Sequence, residues 1–202
     1  MIWVVLVSLG LGILCGQFDL LPQVTGWLIE YTGELILVLV FLVGVSLSGS
    51  REALIQMRYY GPRILVLPAA VTAASLLAGP LCCLLTGVGL GEGMAAVSGL
   101  GWSSLTGVMV TELAGPEAGA MAFLANLLRG ELLAYCLIPV VARRVSYPAV
   151  LGLGGATCMD TTLPVIMEYT DEETTLMAVT SGLVCSFLAP VLINGCWELW
   201  GG

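Results

Sequence analysis

One carboxylate stands where its neighbours offer a charge little support. Asp160 lies in Gly154-Gly155-Ala156-Thr157-Cys158-Met159-Asp160-Thr161-Thr162-Leu163-Pro164, in the middle of an otherwise apolar stretch. At membrane depth an aspartate costs at least ~2.5–3.5 kcal/mol on insertion scales, so such a residue faces a cavity or a partner. The flanking Gly, Thr and Pro describe an opened helix whose backbone groups and hydroxyls, Thr157 and Thr161 among them, are free for a ligand. Many transporters build midplane sites this way. The structural alternative is an ion pair, with Arg129 as partner, or a residue at a helix end near the interface.

A second stretch has similar chemistry. Ser98-Gly99-Leu100-Gly101-Trp102-Ser103-Ser104-Leu105-Thr106-Gly107 combines glycines that permit close backbone approach with hydroxyls that can replace water around a polar ligand. Trp102 can set an aromatic face against a cation. The competing reading is helix packing through small residues. A third cluster, Asn126, Arg129 and Glu131, falls inside an apolar helix: Asn126 and Arg129 share a face at i,i+3, while Arg129 and Glu131 point apart. Asp160 and Glu112 are the candidate partners for Arg129. Both a structural network and direct ligand contact fit this third group.

The whole chain explains why these polar groups stand out. Its 202 residues are 58% hydrophobic and 10% charged, with a mean hydropathy of +1.02. A soluble domain carries about 25% charge, so this chain must face lipid. It contains no His and no Lys; its six basic residues are all Arg, and its formal charge is −8. The absence of His excludes His-dependent triads, imidazole relays and His-containing metal sites. Aspartyl intramembrane proteolysis needs two facing aspartates, but Asp19 and Asp171 fall in expected loops. No cofactor, metal or nucleic-acid site is expected. The seven Cys form no CxxC pair and read as small buried hydrophobes.

Apolar runs place about seven transmembrane segments, near 2–18, 34–49, 62–86, 93–113, 117–142, 147–168 and 174–200. The expected fold is therefore an all-α polytopic membrane protein, one transporter domain over 1–202. Segments 93–113 and 147–168 carry Gly, Ser and Thr in their centres and read as broken. Trp197 and Trp200 suit an interface at the end of the last segment. Asp171 reads as a helix N-cap. Arg51, Arg58 and Arg63 put one loop in the cytoplasm, and Arg143 and Arg144 another. Three full crossings between them would contradict this, so either 93–113 re-enters or one cluster lies outside.

Three stretches in order, 98–107, then Gly115-Pro116-Glu117-Ala118-Gly119 with Ala122-Phe123 and Asn126, then 155–164, resemble the bacterial LysO-type lysine exporter family. The resemblance runs over nearly the whole chain and is strongest from 95 to 165. It implies a multi-pass carrier of the bacterial cytoplasmic (inner) membrane that exports L-lysine and its toxic analogues, coupled to proton entry. It also implies kinship with cation-antiporter and bile-acid-symporter folds, in which two broken helices cross. The family's intramembrane Asp falls on Asp160, its Trp-Ser motif on Trp102, Ser103 and Ser104, and its Asn and Glu on Asn126 and Glu131.

Two departures stand out. Family members place Arg directly before that Glu, whereas here Gly130 separates Arg129 from Glu131, a rotation of about 100° on an α-helix. Fuller members also carry further helices ahead of this region, and Phe41-Leu42-Val43-Gly44-Val45-Ser46-Leu47 resembles a motif from that leading part. This chain then matches the family's C-terminal part, completed by a separately encoded N-terminal-half membrane protein or by a second copy. Two rival functions remain: a Na⁺-coupled symporter of a small organic solute, and a non-transporting subunit of a two-component carrier.

Overall fold

A backbone surrounded by lipid must satisfy its own N–H and C=O groups, and helices do so within one segment. The computed structural model describes residues 65–201 and scattered positions between 7 and 45, and no strand occurs among the described residues. The chain groups into two compact units, Met1–Val38 and Leu39–Gly202. In the first, described positions such as 10–12, 14 and 15 are helical. The helices that follow belong to the second.

In chain order they are α1 Val66–Thr86, α2 Leu90–Val97, α3 Ser103–Ala114, α4 Pro116–Leu127, α5 Ala134–Arg144, α6 Leu151–Gly154, α7 Leu163–Tyr169 and α8 Glu172–Trp200. A π-helical turn, Leu128–Leu133, joins α4 to α5 without a break, so Pro116–Arg144 is one long helix. Short 3₁₀ turns, Pro148–Val150 and Gly155–Met159, precede and follow α6. Among the described residues, three helices are long and apolar enough to cross a membrane: α1, Pro116–Arg144 and α8. These correspond to the third, fifth and seventh expected segments. The fourth and sixth are interrupted, as their composition implies. The segments expected at 2–18 and 34–49 lie outside the described residues apart from scattered helical positions, and so do Arg51, Arg58 and Arg63.

Local chemistry sets the boundaries. Gly87, at φ 75, closes α1 by donating its N–H to Cys83 O. Gly115 ends α3 and leads into Pro116 at the first position of α4, where a missing N–H costs nothing. Asp171 caps α8 by accepting from Thr174 N at 2.8 Å. The Thr174 hydroxyl and N–H hold the Asp171 carboxyl below the usual carboxylate range.

Small residues bring the helices together. Gly107 and Gly119 let α3 and α4 close as a hairpin, with Phe123 and Thr111 filling the space a β-carbon would take. Gly182 of α8 lies against Met159 and Ala156, and Gly91 of α2 against Gly201. The outside is apolar: Leu77 and Leu84 of α1 are 79% and 83% exposed, as side chains touching lipid are.

The π turn is the main departure from the expected regular helix. A π turn is wider than an α turn and commonly marks a functional segment. Here it accommodates Gly130, the residue that separates Arg129 from Glu131, within an otherwise continuous helix. It also presents Gly130 to the first break: a β-carbon at Gly130 would stand 2.7 Å from Gly101 O. Gly130→Ala therefore destabilises the detergent-solubilised protein by about 1–3 kcal/mol. Gly195→Ala serves as the control, because a β-carbon there meets nothing within 4 Å. A thermal melt of the two variants should show a lowered midpoint for Gly130→Ala alone.

Candidate functional site

The first break runs from Ser98 to Trp102, between α2 and α3. Leu100 and Gly101 adopt φ values of 52° and 97°, and the non-glycine value is uncommon enough to need outside support. Asn126 provides it. Its Oδ1 accepts from Gly101 N at 2.8 Å, and its Nδ2 donates to Ala96 O at 2.8 Å and Ala122 O at 2.9 Å. Asn126 is buried, and both its N–H donors and its oxygen are engaged, so it acts as a clamp on the break.

The second break begins at Gly155, at φ 64, and continues to Thr162. Its Ala156 N–H donates to Leu100 O at 2.9 Å, so the two breaks touch through main chain. A β-carbon at Gly101 would stand 2.6 Å from Gly154 O, and one at Gly155 2.2 Å from Leu100 O. Only glycine at both positions permits this approach. Thr157 ties the second break to the π turn, donating its hydroxyl to Gly130 O at 3.0 Å with Gly154 O at 3.1 Å. Thr162 Oγ1 in turn donates to Thr157 O at 3.0 Å.

Asp160 sits at the far end of this break and is exposed. Its carboxylate accepts from Thr161 N. From the long helix, Tyr135 reaches the same place, with Glu131 one helical turn before it. The Tyr135 hydroxyl donates to Thr161 O, next to Asp160, and the Asp160 charge acts on both Glu131 and Tyr135. The second break thus ends in two carboxylates with a phenol beside them, an arrangement suited to a proton or an organic cation.

Not every candidate joins this group. Asp160 and Glu131 come together. Asn126 and Thr157 hold the breaks, and their hydrogen-bonding groups are already engaged. Trp102 is half-buried and donates Nε1 to Ser104 Oγ at 3.1 Å, while packing in a small cluster with Leu100, Ala156 and Cys185. Ser103 is buried and Ser104 exposed, both at the start of α3. Thr161 Oγ1 is buried and has no hydrogen-bond partner among the described residues. Glu112 is exposed near the end of α3.

The suggested pairing of Arg129 with Asp160 or Glu112 is not formed. Arg129 instead borders a cavity whose described lining residues include no carboxylate. Tyr135 escaped the sequence reading, although its i,i+4 spacing from Glu131 is a readable signal.

The family model for the lysine exporter LysO matches residues 6–197. The chain belongs to this family. It is 37% identical over 164 residues to "Lysine exporter LysO" of Escherichia coli K12, which covers 81% of this chain but 53% of that protein. It is 31% identical over 189 residues to "Putative lysine exporter" of Haemophilus influenzae, covering 94% of this chain and 92% of that one. The chain therefore spans about half the length of one LysO relative and nearly all of the other. No solved structure matches it. LysO family membership and the long apolar helices make this a membrane protein.

The hydroxyl of Thr157 provides a direct check on the geometry. Thr157→Val keeps the shape and removes the donor to Gly130 O, at a cost of about 1–3 kcal/mol for the carbonyl left unpaired. Thr157→Ser retains the donor. Chemical or thermal denaturation in detergent should rank wild type and Ser above Val.

Proposed function

We propose that the chain exports L-lysine across the bacterial cytoplasmic membrane as a multi-pass carrier, by alternating access coupled to proton entry. The observation that carries this reading is the Tyr135–Thr161 hydrogen bond, which sets the helix bearing Glu131 against the turn bearing Asp160 at the end of the second break. An exported cation needs negative charge at membrane depth. Two carboxylates can hold either the side-chain ammonium or a proton, and competition between them couples the flows. Tyr135 steadies the Asp160–Thr162 turn through Thr161 O.

The two broken segments touching through main chain support kinship with antiporter and bile-acid-symporter folds. The names of both relatives support lysine as the substrate. The match to about half of the Escherichia coli protein supports completion of the carrier by a second membrane chain, another copy or a separately encoded one.

Efflux of preloaded labelled lysine from cells lacking their own exporters tests the proposal. The chain is expressed alone and with any candidate partner. Asp160→Asn and Glu131→Gln, at membrane abundance equal to wild type, each reduce lysine efflux by about tenfold or more, the scale of a lost hydrogen bond to a charged group. Efflux at the wild-type rate from Asp160→Asn would overturn the mechanism. A dependence on Na⁺ gradient in place of pH gradient would overturn the proton coupling.

A further inference from the structure

The acidic pair leaves Arg129 unexplained. This half-buried residue borders a cavity of about 510 Å³ between α1, α2 and the long helix. That size falls in the range of about 300–1,000 Å³ that small-molecule sites occupy. Most of the wall is small and apolar, including Ala74, Ala78, Ala96, Ala125 and Ala149. Its other polar side chains are Ser75 and Asn126, and the Asn126 amide is already engaged by Gly101, Ala96 and Ala122. The guanidinium reaches the start of the second break: a β-carbon built at Gly155 would stand 3.5 Å from Arg129 Nη2. Asp160, Glu131 and Tyr135 do not line this cavity.

A guanidinium carries five donors and a permanent charge. At membrane depth it requires an anion, and no carboxylate is among the described residues that line its cavity. The group that best matches its planar fork is a carboxylate, held by two parallel N–H···O bonds. The surrounding small apolar walls admit the carbon chain attached to such a group.

We infer that Arg129 and its cavity form a binding site for the α-carboxylate of the transported amino acid, separate from the acidic pair that takes the ammonium. This rests on the lysine-export reading above and adds the group by which the carrier recognises an amino acid. A site built to pair with a substrate group rejects an analogue that lacks it, because its own buried polar group is then left without a partner. The carrier consequently distinguishes lysine from cadaverine, the same chain and ammonium without the carboxylate.

Proteoliposomes holding the protein, together with any partner that efflux requires, test this with lysine and cadaverine as labelled substrates. Wild type transports lysine at least about tenfold better than cadaverine, measured as kcat/KM. Arg129→Gln loses about ten- to a hundredfold in lysine kcat/KM, the effect expected of a charge-assisted hydrogen-bonded pair. Its cadaverine transport stays at the wild-type level, so the discrimination collapses, and Arg129→Lys falls between. A purely structural arginine would lower both substrates together.

Should Arg129→Gln fail to fold, competition on the wild-type protein replaces it. Lysine methyl ester and cadaverine then compete with labelled lysine at least about tenfold more weakly than lysine itself. Equal transport of lysine and cadaverine by wild type overturns the inference and leaves the export reading intact. So does an unchanged preference in Arg129→Gln, or a loss confined to vesicles containing anionic lipid, which would make the cavity a headgroup site. Restoration of Arg129→Gln by neutralising a carboxylate within residues 1–64 would show an ion pair and also overturn it. Absence of lysine transport by wild type would remove both proposals.

Discussion

A main-chain hydrogen bond, Ala156 N–H to Leu100 O, joins two segments at points where each has stopped being a regular helix. Interrupting a helix in lipid exposes N–H and C=O groups that hydrocarbon cannot satisfy. The chain answers by placing the two interruptions against each other. Gly101, Gly130, Gly154 and Gly155 make the contact close enough, and Asn126 and Thr157 supply the remaining donors and acceptors. The π turn belongs to the same arrangement, because it brings the Gly130 carbonyl to Thr157 and the Gly130 α-carbon to Gly101.

The contact also distributes charge. Asp160 and Glu131, with Tyr135, gather at the far end of the second break, while Arg129 enters a cavity beside its beginning. A short stretch of opened backbone therefore has a cation at one end and two carboxylates at the other. A zwitterion with an additional ammonium matches that pattern of charges, whereas a simple inorganic cation leaves the arginine without a role. The long helix contributes to both ends, since Arg129, Glu131 and Tyr135 all lie on Pro116–Arg144.

Composition made much of this legible. Glycine, serine and threonine in the centres of two apolar segments marked both breaks, and Asp160 stood out because charge at such depth needs support. Asn126 was also visible as a polar residue in an apolar helix. Its role was not, because two of its three partners are backbone atoms at the first break, 25 and 30 residues earlier in the chain. The π turn escaped because helical periodicity assumes a regular winding. That assumption correctly separated Arg129 from Glu131 but said nothing of Gly130 as a contact point. Pairing with a carboxylate was one of two readings for Arg129, and its place in the cavity follows from packing between distant segments, which spacing along one helix does not encode.

The dependence of the two breaks on a common set of hydrogen bonds is most directly tested by hydrogen exchange, read by mass spectrometry in wild type and Asn126→Ala. Gly101 and Ala156 amides lie outside regular α-helix yet donate to buried acceptors. In wild type, peptides spanning 98–102 and 155–157 should exchange as slowly as the adjoining helices. In Asn126→Ala, protection should fall in both peptides together, although Asn126 bonds directly to the first break alone. Loss confined to 98–102, or rapid exchange of 155–157 in wild type, would contradict the coupling of the two breaks.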